Sequence, residues 1–285
     1  MGKVSAYFKL TRIEHGIIAS VAAVTGCALG AGGWMYTPLI QAVLAIVITV
    51  LVEAGLFIFN DIYNIDEDKI NAPYRPLVTG EISLKEAIMA GYLTLLLGTA
   101  LSLFLGIMPL VVVLAAITSG MAYNVRYKRL GFIGNLVVSL DTSLPFLFGA
   151  TVTSGYQIPL LAIIFTLIAF VATLGREVLK GIRDLEGDKR VGIKTIAVVK
   201  GRRFAAFLAA VLFIFAILLS LIALPLIHDQ GKRAIYTALV SVTDTLFSFT
   251  AIYILLKQDI RHAENSRKIT LLAMLLGTIA FSTAA

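Results

Sequence analysis

Charged residues are scarce in this chain. Only 14% of its 285 residues are charged and 59% are hydrophobic, whereas an average soluble domain carries about 25% charged residues. A soluble globular protein is therefore a poor match for this composition. The balance indicates an integral membrane protein.

Cysteine and histidine are also nearly absent. Cys27 is the only cysteine, so the chain forms no internal disulfide and offers no thiol pair for zinc. The three histidines, His15, His228 and His262, are scattered along the chain and lack the spacing of a zinc site. We expect His15, next to the first apolar run, to be a packing residue at the membrane interface.

Long apolar runs predict nine membrane-spanning helices, because crossing the hydrocarbon as a helix takes about 20 apolar residues. The period-2 alternation of a membrane barrel is weak. The predicted spans are 16–34, 38–60, 84–106, 109–125, 133–153, 158–180, 203–224, 233–256 and 267–284. The predicted fold class is all-α integral membrane, with nine helices in one bundle and residues 1–285 as a single transmembrane domain.

Lysine and arginine are missing from one set of loops, namely those near 35–37, 107–108 and 154–157. The long loops, where both are common, are 61–83, 126–132 and 181–202. The positive-inside rule then places the N-terminus and the long loops in the cytoplasm and the C-terminus outside. We expect a multi-pass protein of the plasma membrane, whose net charge of +7 reflects this bias and requires no nucleic-acid partner.

Two acidic segments follow apolar runs, where charge is expensive. "NIDEDK" at 64–69 follows the second span and "DLEGDK" at 184–189 follows the sixth. The two segments align residue by residue across an interval of four helices. This repetition predicts two four-helix pseudo-repeats with a ninth helix added.

The first segment offers oxygen ligands on one helix face. If the second helix continues through it, Asn60, Asn64 and Asp68 follow one another at intervals of four residues and share a face. Asp61 lies beside them. Hard oxygen ligands of this kind suit Mg²⁺, which binds through one or two carboxylates together with substrate phosphates.

The second segment repeats this arrangement. Asp184 and Asp188 stand one helical turn apart, and Lys180 precedes Asp184 by one further turn. If the faces of the two segments turn towards each other, they form an oxygen-lined pocket at the cytoplasmic end of the bundle.

Cations accompany these segments. Arg75 closes the first one, and Arg126 and Lys128 follow Tyr123 in "YNVRYKR". Carboxylates, a divalent ion and nearby cations together suit a diphosphate group, and an apolar bundle suits a long hydrocarbon tail. The sequence therefore predicts a membrane enzyme acting on a lipid diphosphate, although Arg126 and Lys128 are also explained as plain topogenic charges.

Further polar and small residues lie in or near the spans. Glu53 lies two turns before Asn60 and is predicted to face the cavity, and Arg12 is a candidate substrate-binding residue. Asp141 and Asp244 either line an acceptor site or pair with Asn135, Ser139 or Thr243. Close helix contacts are expected at the small residues Gly26, Gly30, Gly32 and Gly33.

The segments "NDIYNIDEDKINAPYRPLVTG" at 60–80 and "REVLKGIRDLEGDKRVGIKT" at 176–195 resemble the two signature segments of the UbiA-type intramembrane prenyltransferases. The resemblance covers nearly the whole chain, including a Tyr-plus-Lys segment between the fourth and fifth helices. "TRIEH" at 11–15 is similar to archaeal members that make ether lipids.

The resemblance implies Mg²⁺, with two ions, and a prenyl diphosphate whose C–O bond ionises to an allylic carbocation. The metal ligands that it implies are Asn60, Asp61, Asn64, Asp68, Asp184 and Asp188. Catalytic roles fall to Asp68, Asp184, Asp188, Lys128 and Tyr123. Substrate binding is expected at Arg75, Arg126, Lys128, Tyr123, Lys180, Glu53 and Arg12.

The acceptor is left open by the resemblance. A lipophilic glycerol-phosphate ether lipid, geranylgeranylglyceryl phosphate, is favoured over an aromatic acid of quinone synthesis, because arginine and lysine are in surplus at the active face. Two readings of another class are a secondary transporter and a non-catalytic polyprenyl-binding scaffold. A transporter would place its site near the bilayer midplane on broken helices.

Two positions depart from the family pattern. The family usually has aspartate where Asn64 stands, and a neutral amide coordinates Mg²⁺ more weakly. The Tyr–Lys spacing is one residue longer than the common form, since Lys128 is five residues after Tyr123. Arg126, Tyr127 and Lys128 are therefore all candidates for the family's lysine role.

Overall fold

A computed structural model describes residues 2–285, and over that range the chain is helical with short connections and no strand. The α-helices of this range are α1 (Lys3–Thr11), α2 (Ile13–Ala31), α3 (Leu39–Tyr63), α4 (Ile65–Asn71), α5 (Pro76–Thr79), α6 (Leu84–Leu105), α7 (Ile107–Val125), α8 (Phe132–Ser154), α9 (Leu160–Arg183), α10 (Leu185–Val191), α11 (Ile196–Lys200), α12 (Arg202–Ala223), α13 (Gln230–Leu256) and α14 (Ile260–Ala284). Short 3-10 helices lie at Trp34–Tyr36, Tyr127–Leu130 and Leu224–Leu226.

Nine helices in residues 2–285 are long and apolar enough to cross a membrane. They are α2, α3, α6, α7, α8, α9 with α10, α12, α13 and α14. The nine predicted spans are thereby confirmed, with boundaries shifted by a few residues. The sixth reaches Val191, beyond its predicted end at 180, because the helical path continues through the second acidic segment.

Several of the long helices begin at a side-chain cap. Ser83 and Glu86 form a capping box at the start of α6, in which the Ser83 backbone N–H donates to Glu86 Oε2 at 2.9 Å. Asp229 accepts from the backbone N–H of Lys232 at 2.8 Å before α13, and Asp259 caps α14 in the same way. These caps satisfy the backbone donors that a helix start leaves unpaired.

The chain divides into two compact units. Unit 1 comprises the chain up to Val125 together with Pro145–Gln157. In unit 1, α3 packs against α1, α2, α6 and α7, so the helix that leads into the first acidic segment is the most surrounded. A buried cluster supports the C-terminal end of α3 and consists of Ala6, Leu10, Ile58, Leu77, Ile82 and Ala87.

Unit 1 also contains the close helix contact expected at the glycines. A Cβ on Gly26 would lie 2.9 Å from Ala150 N, and one on Gly30 would meet the Ala150 backbone and the Thr153 side chain. Thr153 Oγ1 donates to the Cys27 carbonyl at 2.8 Å across the same contact. The expectation is confirmed at these two glycines and is wrong at Gly32, which ends α2 with a φ of 84° and has no neighbour that a Cβ would touch.

Unit 2 comprises Arg126–Leu144 and Ile158–Ala285. Here α9 packs against α12 and α14, and α13 packs against both α12 and α14, which closes a ring of four helices. Phe165 on α9 stacks on Phe281 of α14 with ring centroids 4.0 Å apart. Phe165 lies near the start of α9 and Phe281 near the end of α14, whereas Arg183 at the end of α9 bonds to Glu264 near the start of α14. The two helices therefore run antiparallel.

Asp244, partly buried in α13, accepts a hydrogen bond from Ser220 Oγ of α12 at 2.7 Å. The sequence had suggested Asn135, Ser139 or Thr243 as a partner. Ser220 was not predicted because it lies on another helix and is not close to Asp244 along the chain. The border between the units falls inside α8, so the two predicted four-helix repeats do not coincide with the units. The pseudo-repeat stays a prediction.

We predict that Gly26→Ala lowers the stability of unit 1, because its Cβ would overlap the α8 backbone. Overpacking of this kind costs about 1–3 kcal/mol. Gly187→Ala is the matched control, since nothing lies within 4 Å of a Cβ at that position. The measurement is the thermal unfolding midpoint in detergent micelles, and equal midpoints for the two variants would contradict the close contact.

Candidate functional site

The first acidic segment is carried by a broken helix. Helix α3 ends at Tyr63, Asn64 adopts φ −106° and ψ 12°, and α4 begins at Ile65. The backbone ladder nevertheless continues, since the Asn64 N–H donates to the Asn60 carbonyl and the Asp68 N–H donates to the Asn64 carbonyl at 2.8 Å. The predicted uninterrupted helix is therefore corrected to two helices that join at Asn64, in a backbone region where active-site residues are often found.

Asp61 lies at the end of α3 with only 2% of its side chain exposed. Its Oδ1 accepts from Arg12 and, at 2.8 Å, from Arg75 Nη1. Arg75 also donates to Oδ2 of Asp68, which is likewise buried. Two arginines thus neutralise two buried carboxylates, which without such pairing would be very costly beside an apolar helix bundle.

Arg12 reaches Asp61 from the junction between α1 and α2. It has a φ of 46° and is the only residue other than glycine with a positive φ in residues 2–285. Its guanidinium lies 4.8 Å from the ring centroid of Phe57, a favourable cation–π distance. The contacts of the side chain with Asp61 and Phe57 offset the backbone strain, which is characteristic of functional positions. His15 also packs on Phe57, at 5.0 Å, as expected of a packing residue.

Amide side chains form a second network at this end of unit 1. Asn60 Nδ2 donates to Asn124 Oδ1 at 2.7 Å, and Asn124 Nδ2 donates to the Leu56 carbonyl at 3.2 Å. Asn64 Nδ2 donates back to the Asn60 carbonyl at 2.6 Å. These bonds fix the orientation of the Asn60 and Asn64 amides, whose oxygens are the predicted metal ligands.

The second acidic segment has the same local construction. Helix α9 ends at Arg183, Asp184 adopts φ −88° and ψ 2°, and α10 begins at Leu185. The Asp188 N–H donates to the Asp184 carbonyl at 2.9 Å. The residue that breaks the helix, Asp184, is the one that aligns with Asn64, which supports the predicted repetition of the motif.

Ion pairs hold the second segment within unit 2. Both oxygens of Asp184 accept from Arg183, at 2.6 and 2.7 Å. Arg183 Nη1 also donates to Glu264 of α14 at 3.2 Å. Lys180 donates to both oxygens of Glu177, at 3.0 and 2.9 Å.

The remaining predicted residues lie on separate elements. Tyr123 is in the last turn of α7, and Arg126 precedes the 3-10 helix Tyr127–Leu130, which carries Lys128. Glu53 is in the middle of α3. Unit 1 therefore brings together Arg12, Asp61, Asp68 and Arg75. Unit 2 brings Lys180 together with Glu177, and Asp184 together with Arg183 and Glu264. Neither unit, within residues 2–285, contains three or more His, Cys, Asp or Glu side chains grouped closely enough to hold a metal ion by themselves.

Sequence reasoning missed several partners of these residues. They are Asn124, Arg183, Glu264 and Arg267. Glu264 accepts from Arg267 at 2.9 and 2.8 Å as well as from Arg183. One feature of the sequence could have identified such partners: polar and charged residues in apolar helices face a protein interior by default.

The model of the UbiA prenyltransferase family matches residues 19–283. The chain belongs to the UbiA prenyltransferase family. It is therefore a prenyltransferase and a multi-pass membrane protein, as its residues and its resemblance predicted.

Curated relatives in the UbiA family span the same length. The digeranylgeranylglyceryl phosphate synthase of Saccharolobus solfataricus is 33% identical over 276 residues, which cover 97% of this chain and 95% of the relative. The synthase of the same name from Thermococcus kodakarensis is 30% identical, covering 97% and 96%.

Solved structures share the UbiA fold. One, concerned with digeranylgeranylglyceryl phosphate synthase in membranes, has a TM-score of 0.87 at 28% identity and covers 99% of this chain and 98% of that one. A UbiA homologue from Archaeoglobus fulgidus bound to GPP and Mg²⁺ has a TM-score of 0.69 at 20% identity, covering 97% and 99%. The all-α fold class is confirmed, whereas the roles of individual site residues stay predictions.

We predict that Asp61→Ala strongly destabilises this UbiA protein, because it leaves Arg12 and Arg75 without their shared partner. Removing one member of a buried ion pair costs about 3–5 kcal/mol. Asp66→Ala, whose side chain is 87% exposed and pairs only with Lys69, is the control and should stay within about 0.5 kcal/mol. Denaturant unfolding in micelles with EDTA present measures the difference, and similar losses for both variants would refute a structural role of Asp61.

Proposed function

We propose that this chain transfers a geranylgeranyl group from geranylgeranyl diphosphate to geranylgeranylglyceryl phosphate, in a Mg²⁺-dependent step of archaeal ether-lipid synthesis. The observation that carries the proposal is the 33% identity, over almost the full length, to a digeranylgeranylglyceryl phosphate synthase. Two acidic segments with similar helix breaks and closely paired cations support it.

The donor chemistry of these segments fits Mg²⁺. Amide and carboxylate oxygens are its preferred ligands, and the bonds of Asp61 and Asp68 to arginine each occupy only one carboxylate oxygen. We assign the ligand roles to Asn60, Asp61, Asn64, Asp68, Asp184 and Asp188, for two ions. When bound, Mg²⁺ would neutralise the diphosphate and make it a better leaving group.

Cationic side chains complete the donor site. Arg12 and Arg75, already held at Asp61, are placed to exchange part of their bonding from carboxylate to diphosphate oxygens, which suit the planar guanidinium fork. Arg126, Lys128 and Tyr123 steady the charge that develops on the departing group, and Lys180 adds a further cation.

The reaction exchanges one C–O bond for another. The C–O bond of the donor breaks and its electron pair leaves with the diphosphate, which generates an allylic carbocation. The hydroxyl oxygen of the acceptor then bonds to the cationic carbon, and its proton passes to the released diphosphate. Apolar helices around the prenyl chain exclude water, which would otherwise capture the cation. Glu53, in the middle of α3, is assigned to the wall of this chain-binding region.

The placement in the cell follows from the distribution of charge. We propose that the protein resides in the plasma membrane with the N-terminus and the loops 61–83, 126–132 and 181–202 in the cytoplasm, and with the C-terminus outside. The whole chain works as one catalytic domain. The diphosphate that the reaction releases would then be on the cytoplasmic side.

Acceptor identity is tested by incubating the purified protein with geranylgeranyl diphosphate and Mg²⁺. Geranylgeranylglyceryl phosphate and 4-hydroxybenzoate are offered in turn, and products are read by mass spectrometry. We expect digeranylgeranylglyceryl phosphate and one diphosphate per product. Prenylation of only the aromatic acid would replace the proposal with a role in quinone synthesis, and uptake into proteoliposomes without diphosphate release would indicate a transporter.

The metal assignment is tested by substitution. Asp68→Ala and Asp184→Ala should each reduce diphosphate release at least 100-fold, as expected when a group that stabilises the developing charge is lost, while Asp66→Ala retains activity. Asn64→Asp should preserve or raise turnover and lower the Mg²⁺ concentration needed for half-maximal rate. Unchanged turnover in both alanine variants would overturn the assignment, and a clear loss in Asn64→Asp would show that the amide has a role of its own.

A further inference from the structure

We propose that Arg176, together with Arg183 and Arg267, forms an anion site in unit 2 that recognises the phosphate monoester of the acceptor lipid. The inference rests on the proposed function and deepens it. A donor diphosphate and an acceptor phosphate are separate anionic groups, so the reaction needs cations beyond those of the acidic segments. Arg176 has no role among those assigned above, whereas Arg183 also pairs with the proposed ligand Asp184.

The site lies on facing sides of α9 and α14. Arg176, Lys180 and Arg183 follow one another at intervals of four and three residues, which places them on one face of α9. The antiparallel α14 reaches this face, as the 3.2 Å bond from Arg183 Nη1 to Glu264 Oε2 demonstrates. Arg267 is one turn after Glu264 and so lies further along α14 in the direction of Arg176.

Most cations of this cluster already have a carboxylate partner. Arg183 is matched by Asp184 at 2.6 Å, Arg267 by Glu264 at 2.8 Å, and Lys180 by Glu177 at 2.9 Å. Arg176 approaches only Glu177, at 3.6 Å, and that carboxylate is held by Lys180. Arg176, Lys180, Arg183 and Arg267 are thus four cations that share three carboxylates, Glu177, Asp184 and Glu264. Arg176 is the one without a close carboxylate of its own.

Arg176 is also the cation for which surplus charge is most expensive. Its side chain is 17% exposed, it lies two helical turns inside the end of α9, and its Nε is buried with no hydrogen-bond acceptor among residues 2–285. Glu177 and Glu264 attract it, and Arg183 and Arg267 repel it. A guanidinium in an apolar segment requires an anionic partner, and both of these carboxylates already accept bonds from other cations.

A phosphate monoester suits this arrangement better than a carboxylate does. The guanidinium fork binds phosphate oxygens through two parallel bonds, and the positive charge that Arg183 and Arg267 add at Arg176 favours a dianion. Thr173, one turn before Arg176, has a buried hydroxyl with no partner in the described chain and adds a neutral donor on the same face.

Direct binding tests the site without requiring turnover. Detergent-solubilised protein is titrated with geranylgeranylglyceryl phosphate, geranylgeranylglycerol and inorganic phosphate by isothermal calorimetry. The wild type should prefer the phosphorylated lipid over the alcohol by about 10- to 100-fold, as expected for charged hydrogen bonds. Weak binding of inorganic phosphate would show that the lipid chain contributes affinity, whereas binding as tight as that of the lipid would assign the site to free phosphate and overturn the proposal.

Arg176→Gln should remove most of this preference while leaving the affinity for geranylgeranyl diphosphate unchanged. Arg176→Lys, which keeps the charge but loses the planar fork, should retain an intermediate preference, and this graded result would not come from misfolding. Arg261→Gln, at an exposed position near the start of α14, is the control and should bind like the wild type. Thermal midpoints of all variants confirm that they are folded.

The remaining outcomes separate this site from the proposed function. If Arg176→Gln keeps the preference for the phosphorylated lipid, or weakens the donor instead, the acceptor site is wrong even where transfer to geranylgeranylglyceryl phosphate is observed. If no transfer occurs but the wild type shows a phosphate preference that Arg176→Gln loses, the site stands and the proposed reaction fails.

Discussion

The cost of placing ionised groups beside apolar helices governs this structure. Asp61, Asp68, Asp184 and Glu264 stand at or near the ends of helices that are long and apolar enough to cross a membrane, and each of them accepts bonds from arginine. A carboxylate in such a position is retained only when paired. The same pairing places arginine side chains close to the carboxylates. Under the proposed function, these arginines would bond to an anionic substrate without a long movement of any helix.

The break in each long helix is the second organising feature. Helix α3 ends directly before Asn64 and helix α9 ends directly before Asp184. These two residues have similar backbone conformations, and a short acidic helix follows each of them. The break leaves the backbone ladder continuous, so the acidic residues of the short helix stay joined to the rigid helix before it. The proposed oxygen ligands are thereby held by helices instead of by loops, which favours a reproducible geometry at a bound ion.

Much of this architecture was predictable from the chain, and the reasons are specific. Nine spans were readable because hydrocarbon thickness sets the length of an apolar run, and the acidic segments stood out because charge there is rare. The partners of the acidic residues were harder to predict. Arg12 and Asp61 are joined across two helices, Asn124 reaches Asn60 from α7, and Glu264 contacts Arg183 from the last helix. None of these pairs has a short spacing in sequence that a helical-face argument could use.

The amino-acid sequence by itself determined the helical class, the number of spans, and the two segments that carry the carboxylates, because each of these depends on local composition and spacing. Only the tertiary structure decided which cation neutralises which carboxylate, where α3 and α9 break, and which arginine lacks a partner of its own. Pairing between helices depends on how their faces pack, and Arg176 is recognisable as a surplus cation only after Arg183 and Arg267 are seen to hold their carboxylates.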